Sequence, residues 1–210
     1  MNTLPHTILL HAQSLPEGGV VSPKQFLHLG SRAAVDQALS RLTKEEKLLR
    51  VGCGAYVTPV ASRFGTRPPA PEKVLEALAA QSGEVVAAHG AAAANTLGLT
   101  RQVPIREVYL TSGRTRTLKL GHSEVLVKHV PRWMLALGGR PAGAAVRALA
   151  WIGRTHAGES LATLHRTLPP AEWQALAASR AALPSWMARA IGKETGNETG
   201  NEAGGAAARG

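Results

Sequence analysis

Arg32 and Gln37 carry the most specific chemistry in this sequence. A guanidinium can bridge O6 and N7 of guanine, and a carboxamide can bridge N6 and N7 of adenine. Both lie in a segment where Val35, Ala38, Leu39 and Leu42 recur at helical spacing. A helix that buries those four turns Ser31, Arg32, Ala33, Asp36, Gln37, Ser40, Arg41 and Lys44 outward. Ser31, Arg41 and Lys44 are suited to phosphate rather than to base edges. Asp36 stands one turn from Arg32, where it either pairs with it or repels phosphate.

Other chemistries fare poorly. Asp36 is the only aspartate in the chain, whereas many phosphoryl-transfer and hydrolase sites hold metal or orient a histidine with aspartate. The eight histidines show no metal spacing, and the single cysteine, Cys53, rules out an internal disulfide and a zinc site built on cysteine pairs. Gly138-Gly139-Arg140-Pro141-Ala142-Gly143 has the glycine spacing of a phosphate loop without its Lys-Ser/Thr pair. His89 opens a helix and reads as a capping or packing residue. Trp133, Trp151, Trp173 and Trp186 are scattered through helical patterns and read as core or contact residues. No catalytic, metal-ligating or cofactor-binding residue is expected, so the chain reads as a binding protein rather than an enzyme.

Charge points the same way. The 210 residues hold 24 Lys and Arg against 14 acids, a net +10, which favours nucleic acid as a partner. Residues 59–156 carry most of the excess, with thirteen basic and five acidic side chains, and Arg101, Arg106, Arg114, Arg116, Lys119, Lys128, Arg132 and Arg140 crowd this stretch. There is neither a secretory leader pattern nor an apolar run long enough to span a bilayer, so a cytoplasmic protein away from membranes is expected.

The elements that must position Arg32 and Gln37 can be read in turn. Leu4, Ile8, Ala12 and Leu15 share a helical face that Pro16-Glu17-Gly18-Gly19 ends, leaving Val20-Val21 as a short strand. Ser22, Pro23 and Gln25 form a capping-box start. Gly30 breaks that short helix, and Ser31 caps the next one, which runs to about Glu45. Leu48 to Val51, Gly52-Cys53-Gly54 and Ala55 to Val57 read as strand, tight turn, strand. This order within residues 1–58 is the layout of a winged helix-turn-helix, whose second helix enters the major groove while the hairpin meets the neighbouring backbone. The candidate DNA-binding residues are Ser22, Lys24, Ser31, Arg32, Ala33, Gln37, Arg41, Lys44 and Arg50.

Pro59, Gly65, Pro68, Pro69 and Pro71 mark residues 59–70 as a linker. Residues 71–191 read as an α+β domain: a helix from Pro71, another over Ala88 to Leu97, then strands over Arg106 to Thr111, Thr115 to Leu120 and Ser123 to Val130. Helices follow from Pro141 to Arg154, around Leu161 to Leu168, from Pro170 to Ala182, and from Ser185 to Ile191. Arg114, Arg116, Lys119 and Lys128 sit on or beside one hairpin, a further possible nucleic-acid contact. From Gly192 a Gly-Asn-Glu-Thr repeat with no large apolar residue reads as a disordered tail over 192–210. The fold class is α+β.

Ser22 to Leu42 closely resembles the N-terminal domain of the AbiEi-type antitoxins, and His89 to Leu99, Val103-Pro104 and Val108 to Gly121 resemble that family's second domain. The resemblance covers roughly residues 4–155. It implies a two-domain protein encoded beside a nucleotidyltransferase-like toxin, whose first domain represses the shared promoter at an operator in double-stranded DNA. The second domain would oppose the toxin, without requiring a stable complex. The chain departs from the family at the wing turn, where Cys53 stands in place of a basic residue, leaving Arg50 for backbone contact. It departs again after the recognition helix, where Lys44-Glu45-Glu46-Lys47 replaces a glycine, so a non-glycine residue must turn left-handed or the helix must end otherwise. An alternative reading is a stand-alone winged-helix regulator whose second domain senses a ligand or dimerises.

Overall fold

The computed structural model describes residues 3–63 and 65–206, with side chains through residue 196. From the N-terminus run α1 (Leu4–Ser14), β1 (Val20–Val21), a 3-10 helix (Pro23–Phe26), α2 (Arg32–Lys44), β2 (Leu49–Gly52) and β3 (Ala55–Val57). Next come β4 (Val60–Ser62), β5 (Gly65–Arg67), α3 (Pro71–Ser82), β6 (Val86–Ala88), α4 (Gly90–Thr96), β7 (Val108–Thr111), β8 (Arg116–Leu120) and β9 (Ser123–His129). After a 3-10 helix at Arg132–Leu135 follow α5 (Pro141–Ile152), α6 (Ala157–Thr167), α7 (Pro170–Ala178), a 3-10 helix at Ser179–Ala182, and α8 (Ser185–Ala206). The fold is α+β with small antiparallel sheets. No helix among the described residues is long and apolar enough to cross a membrane.

The chain divides into two compact units, and neither is a continuous segment: one is Met1–Glu84 with Gly113–Val127, the other Val85–Ser112 with Lys128–Gly210. This differs from the expected division at residues 59–70. That stretch forms an antiparallel hairpin, with Val60 opposite Arg67, and it belongs with α3 to the first unit. Glu17 supplies the reason. Its carboxylate accepts from the backbone N–H of Ala70, pairs with Arg67 at 3.2 Å and binds Lys73 Nζ. Gln81 at the far end of α3 donates to Val20 O at 2.7 Å. The strand run that reads as one local meander is also shared out: the β8–β9 hairpin lies in the first unit through Val127, where β8 packs against β2. Gly121 in its turn lies so close to Pro68 that a Cβ would meet Pro68 Cγ at 2.7 Å.

In the first unit, Ile8, Phe26, Val35, Leu39, Leu42, Leu48 and Tyr56 build the core between α1, α2 and the β1–β3–β2 sheet. Val57 pairs with both Val20 and Leu49, so β3 is the central strand. In the second unit, α5 to α8 enclose Val146, Leu149, Leu161, Leu164, Trp173, Leu176, Met187 and Ile191. The alanines of α4 and α5, Ala93, Ala94 and Ala148, allow the close helix contact their size permits. A Cβ at Gly90 would come within 2.4 Å of Arg147 O, so that position requires glycine. Gly143 is likewise pressed against Gly138 O, where a Cβ would come within 2.5 Å, which makes it a packing residue.

The tail expected over 192–210 is replaced through Ala206 by the continuation of α8. Met187 and Ile191 anchor its first turns in the core, and Glu194 reaches to 3.6 Å from His165 Nδ1. Residues 207–210 lie outside the described residues.

Candidate nucleic-acid interface

Helix α2 begins where Ser31 Oγ accepts from the N–H of Ala34 at 3.3 Å. The preceding 3-10 helix is tied back by the Ser22 N–H donating to Gln25 Oε1 at 3.1 Å. Val35, Ala38, Leu39 and Leu42 are buried along α2. Ser31, Arg32, Ala33, Gln37, Arg41 and Lys44 are exposed on its other side, as are Lys24 and Arg50, while Ser22 is half-buried. Those exposed side chains stand in one unit with the β2–β3 hairpin.

The helix ends through a left-handed residue that is not glycine. Glu46 has φ 55°, the only positive φ outside glycine among the described residues. The N–H of Lys47 donates to Leu42 O at 2.9 Å and that of Glu46 to Thr43 O at 3.1 Å, the Schellman arrangement in which a left-handed residue satisfies the last carbonyls. Glu45 holds Arg41 Nε at 2.9 Å and Lys47 Nζ at 2.8 Å. The bond from Lys47, then that from Arg41, holds its carboxyl below the usual range.

Of the two arrangements open to Asp36, the structure has the ion pair: Arg32 Nε donates to its Oδ2 at 2.8 Å. Arg32 is therefore held along the helix surface. Gln37 points outward one residue beyond. The turn at Cys53–Gly54 joins β2 to β3 with a register shift between Arg50 and Gly52. Arg50 Nε makes a long contact, 3.4 Å, with Gly52 O, and Cys53 is exposed.

The four basic residues proposed around the later hairpin are not one group. Arg114, Arg116 and Lys119 belong to the first unit and Lys128 to the second. Arg116 is neutralised by Glu84 at 2.7 Å and only 28% exposed, so it is a structural cation. Arg114 and Lys119 are exposed, with Lys119 4.0 Å from Glu124. The wider crowd of cations in residues 101–140 divides in the same way, with Arg101, Arg106, Arg132 and Arg140 in the second unit. Arg140 there is bound by Glu172 at 2.8 Å, and Glu172 also accepts from the N–H of Ala142 at the start of α5.

Sequence reasoning missed the Glu45 clamp, although Arg41 and Glu45 are four apart, the spacing at which helical side chains meet. It missed Glu17 and Glu84 because their partners lie far along the chain or in another element. His89 behaves as expected: its Nδ1 accepts from the N–H of Ala91 at 3.2 Å and caps α4. No group of three or more His, Cys, Asp or Glu among the described residues could hold a metal ion. A recess of about 470 Å³ in the second unit is lined by Thr100, Gln102, Trp151, His156, Glu159 and Ser160, among others.

The fold thus defines an α+β protein with a capped, outward-facing polar helix beside a β-hairpin. The chain belongs to a family of unknown function (DUF6088), whose profile matches residues 7–167. No curated protein matches it. It is similar to the crystal structure of the RV2827C protein from Mycobacterium tuberculosis, with 17% identity, a TM-score of 0.43, and coverage of 89% of this chain and 80% of that one.

Proposed function

We propose that residues 1–58, within the first unit, are a winged helix-turn-helix that binds double-stranded DNA, and that the chain is an antitoxin which represses its own promoter and opposes a nucleotidyltransferase-like toxin. The observation that carries the DNA reading is the exposed face of α2. Arg32, Gln37, Arg41 and Lys44 project from a helix whose other face is buried and whose start is fixed by Ser31. In this reading the N-terminal half of α2 enters the major groove, where Gln37 reads adenine and Arg32 reads guanine after leaving Asp36. Arg41, Lys44, Lys24 and Arg50 meet phosphates, and Arg114 and Lys119 extend that set from the hairpin that packs on β2. The antitoxin part rests on the resemblance of Ser22–Leu42, His89–Leu99 and Val108–Gly121 to that family, and it assigns toxin antagonism to residues 71–191, which fall in both units.

The test is a gel-shift titration of the chain's own upstream DNA, paired with co-expression of the adjacent open reading frame. Arg32→Ala and Gln37→Ala should each lose about 1–3 kcal/mol of discrimination between operator and unrelated DNA. Wild-type selectivity in both variants would overturn the assignment of α2. An adjacent gene whose product is harmless, or is toxic without relief by this chain, would overturn the antitoxin part and leave a stand-alone regulator.

A further inference from the structure

In the second unit, the start of α6 and one side of α8 enclose a recess of about 330 Å³, within the roughly 300–1,000 Å³ span of small-molecule sites. Its lining includes Arg154, Arg189, Lys193, Trp186, Ala157 and Gly158. Arg189 and Lys193 are four apart on α8, so they share a side of the helix and repel each other unless an anion lies between them. Among the described residues, no carboxylate pairs with Arg154, Arg189 or Lys193. Glu194, the acid in the lining, is 3.6 Å from His165 Nδ1. The Arg154 guanidinium lies 5.9 Å from the centroid of the Trp186 ring, over its face, an attraction that orients the cation toward the ring.

We propose that this recess binds a nucleoside monophosphate, either as a free nucleotide or as the phosphorylated end of a strand. Arg189 and Lys193 take the phosphate, whose charge relieves their mutual repulsion. The base stacks on the outer face of the Arg154 guanidinium, continuing the order Trp186, Arg154, base. Ala157 and Ala190 supply apolar walls for the sugar. A bare phosphate would satisfy the cations but leave most of the volume empty. The recess shares no residue with the α2 face, so the two readings stand or fall separately.

Isothermal titration of the full chain with AMP at physiological salt tests this. One saturable site is expected, with adenosine and inorganic phosphate each binding at least about tenfold more weakly, since each makes only part of the contacts. The double variant Arg189→Ala, Lys193→Ala should weaken AMP by at least about tenfold. A Cβ at Gly158 would meet nothing within 4 Å, and an acid suits the first turn of a helix. Gly158→Glu should therefore fold normally, with an unchanged melting curve, yet abolish AMP binding by placing a carboxylate in the recess. A 5′-phosphorylated trinucleotide that binds more tightly than AMP identifies a strand end as the source, and weaker binding identifies the free nucleotide. Absence of saturable AMP binding, phosphate binding as tight as AMP, or wild-type affinity in the folded variants would each overturn the proposal.

Discussion

In the first unit Glu17 gathers Arg67, Lys73 and the N–H of Ala70 at the surface, whereas in the second Arg147 is buried with two carbonyls and, among the described residues, no acid. The electrostatic consequences run in opposite directions. The bond from Lys73, followed by that from Ala70, pulls the Glu17 carboxyl from the usual 4.5 to about 2, so its charge persists. Burial lowers the Arg147 guanidinium from its ordinary range to about 10, and His89 is lowered too, by burial and then by the Lys128 charge. Glu17 thus holds its charge by facing opposite partners, and Arg147 by being enclosed among backbone dipoles. Partnered charges respond mainly to salt and acid; enclosed ones respond to loss of packing.

The sharpest way to break this contrast is to remove the enclosed cation. Arg147 Nη1 donates to Gly138 O at 2.8 Å and approaches Met134 O at 3.5 Å, joining α5 to the end of the preceding 3-10 helix. Its Nε has no partner among the described residues, so part of its desolvation is uncompensated. Arg147→Ala strips the donor and a long packed side chain together, and urea unfolding should show a loss of about 3 kcal/mol. Arg147→Met keeps most of the volume and should lose less. Equal losses would mean that the hydrogen bonds, not the packing, are what Arg147 supplies.

A smaller effect of about 1 kcal/mol is expected for His89→Ala, which removes the α4 cap. His89→Asn, with an oxygen able to accept the same N–H, should restore most of it. Acid should mimic the loss, because Nδ1 can accept only when it is unprotonated. The folded-state pKa of His89 lies below its ordinary 6.5, so its contribution is complete above 6.5 and disappears as pH falls through the lowered value. Glu17 follows the same sign at lower pH. Its contribution is complete above 4.5 and lost toward about 2. Hydrogen exchange at stepped pH should therefore loosen α4 before it loosens α3. Glu17→Gln should loosen α3 at neutral pH, and its difference from wild type should shrink between pH 4.5 and about 2. Simultaneous loosening of both helices would contradict the separate origins assigned to these charges.

What was legible beforehand follows the reach of local chemistry. The Gln25 tie to Ser22, the Ser31 cap, the buried row of Val35, Leu39 and Leu42, the Gly52-Cys53-Gly54 turn and the His89 cap all depend on residues within four positions of one another. The β8–β9 pairing was also legible, since alternating side chains and a Gly121 turn specify a hairpin locally. Its home in the first unit was not, because Leu118 gives no sign in sequence that it will lie beside Gly52. The proline-rich stretch was misread for a related reason. Prolines exclude regular helix locally, but Glu17, fifty residues earlier, decides whether the segment packs. The α6–α8 recess was hidden twice over, with Arg154 far from Arg189 in sequence and Lys193 inside a repeat that resembles a tail.

The smallest expected effect on stability, and the one that most sharpens the contrast, comes from Asp36. Its pair with Arg32 is exposed, with side-chain exposures of 47% and 60%. Such an (i, i+4) pair contributes about 0.3–0.5 kcal/mol, so Asp36→Asn should leave the melting curve almost unchanged. On DNA the same substitution should act more strongly. A phosphate or base edge approaching Arg32 must displace Asp36 in the wild type, and it also meets a negative charge; the variant removes both obstacles. Binding to unrelated duplex should tighten, and the slope of log affinity against log salt should steepen by up to about 0.9, the contribution of one additional phosphate contact. Discrimination should fall, because the carboxylate no longer opposes binding at sites where Arg32 finds no guanine. No equivalent release is available at Arg189 and Lys193, which have no acid partner among the described residues. If Asp36→Asn leaves both the salt slope and the affinity for unrelated duplex at wild-type values, Arg32 does not face the nucleic acid, and the paired cations of α2 serve only to stabilise the helix.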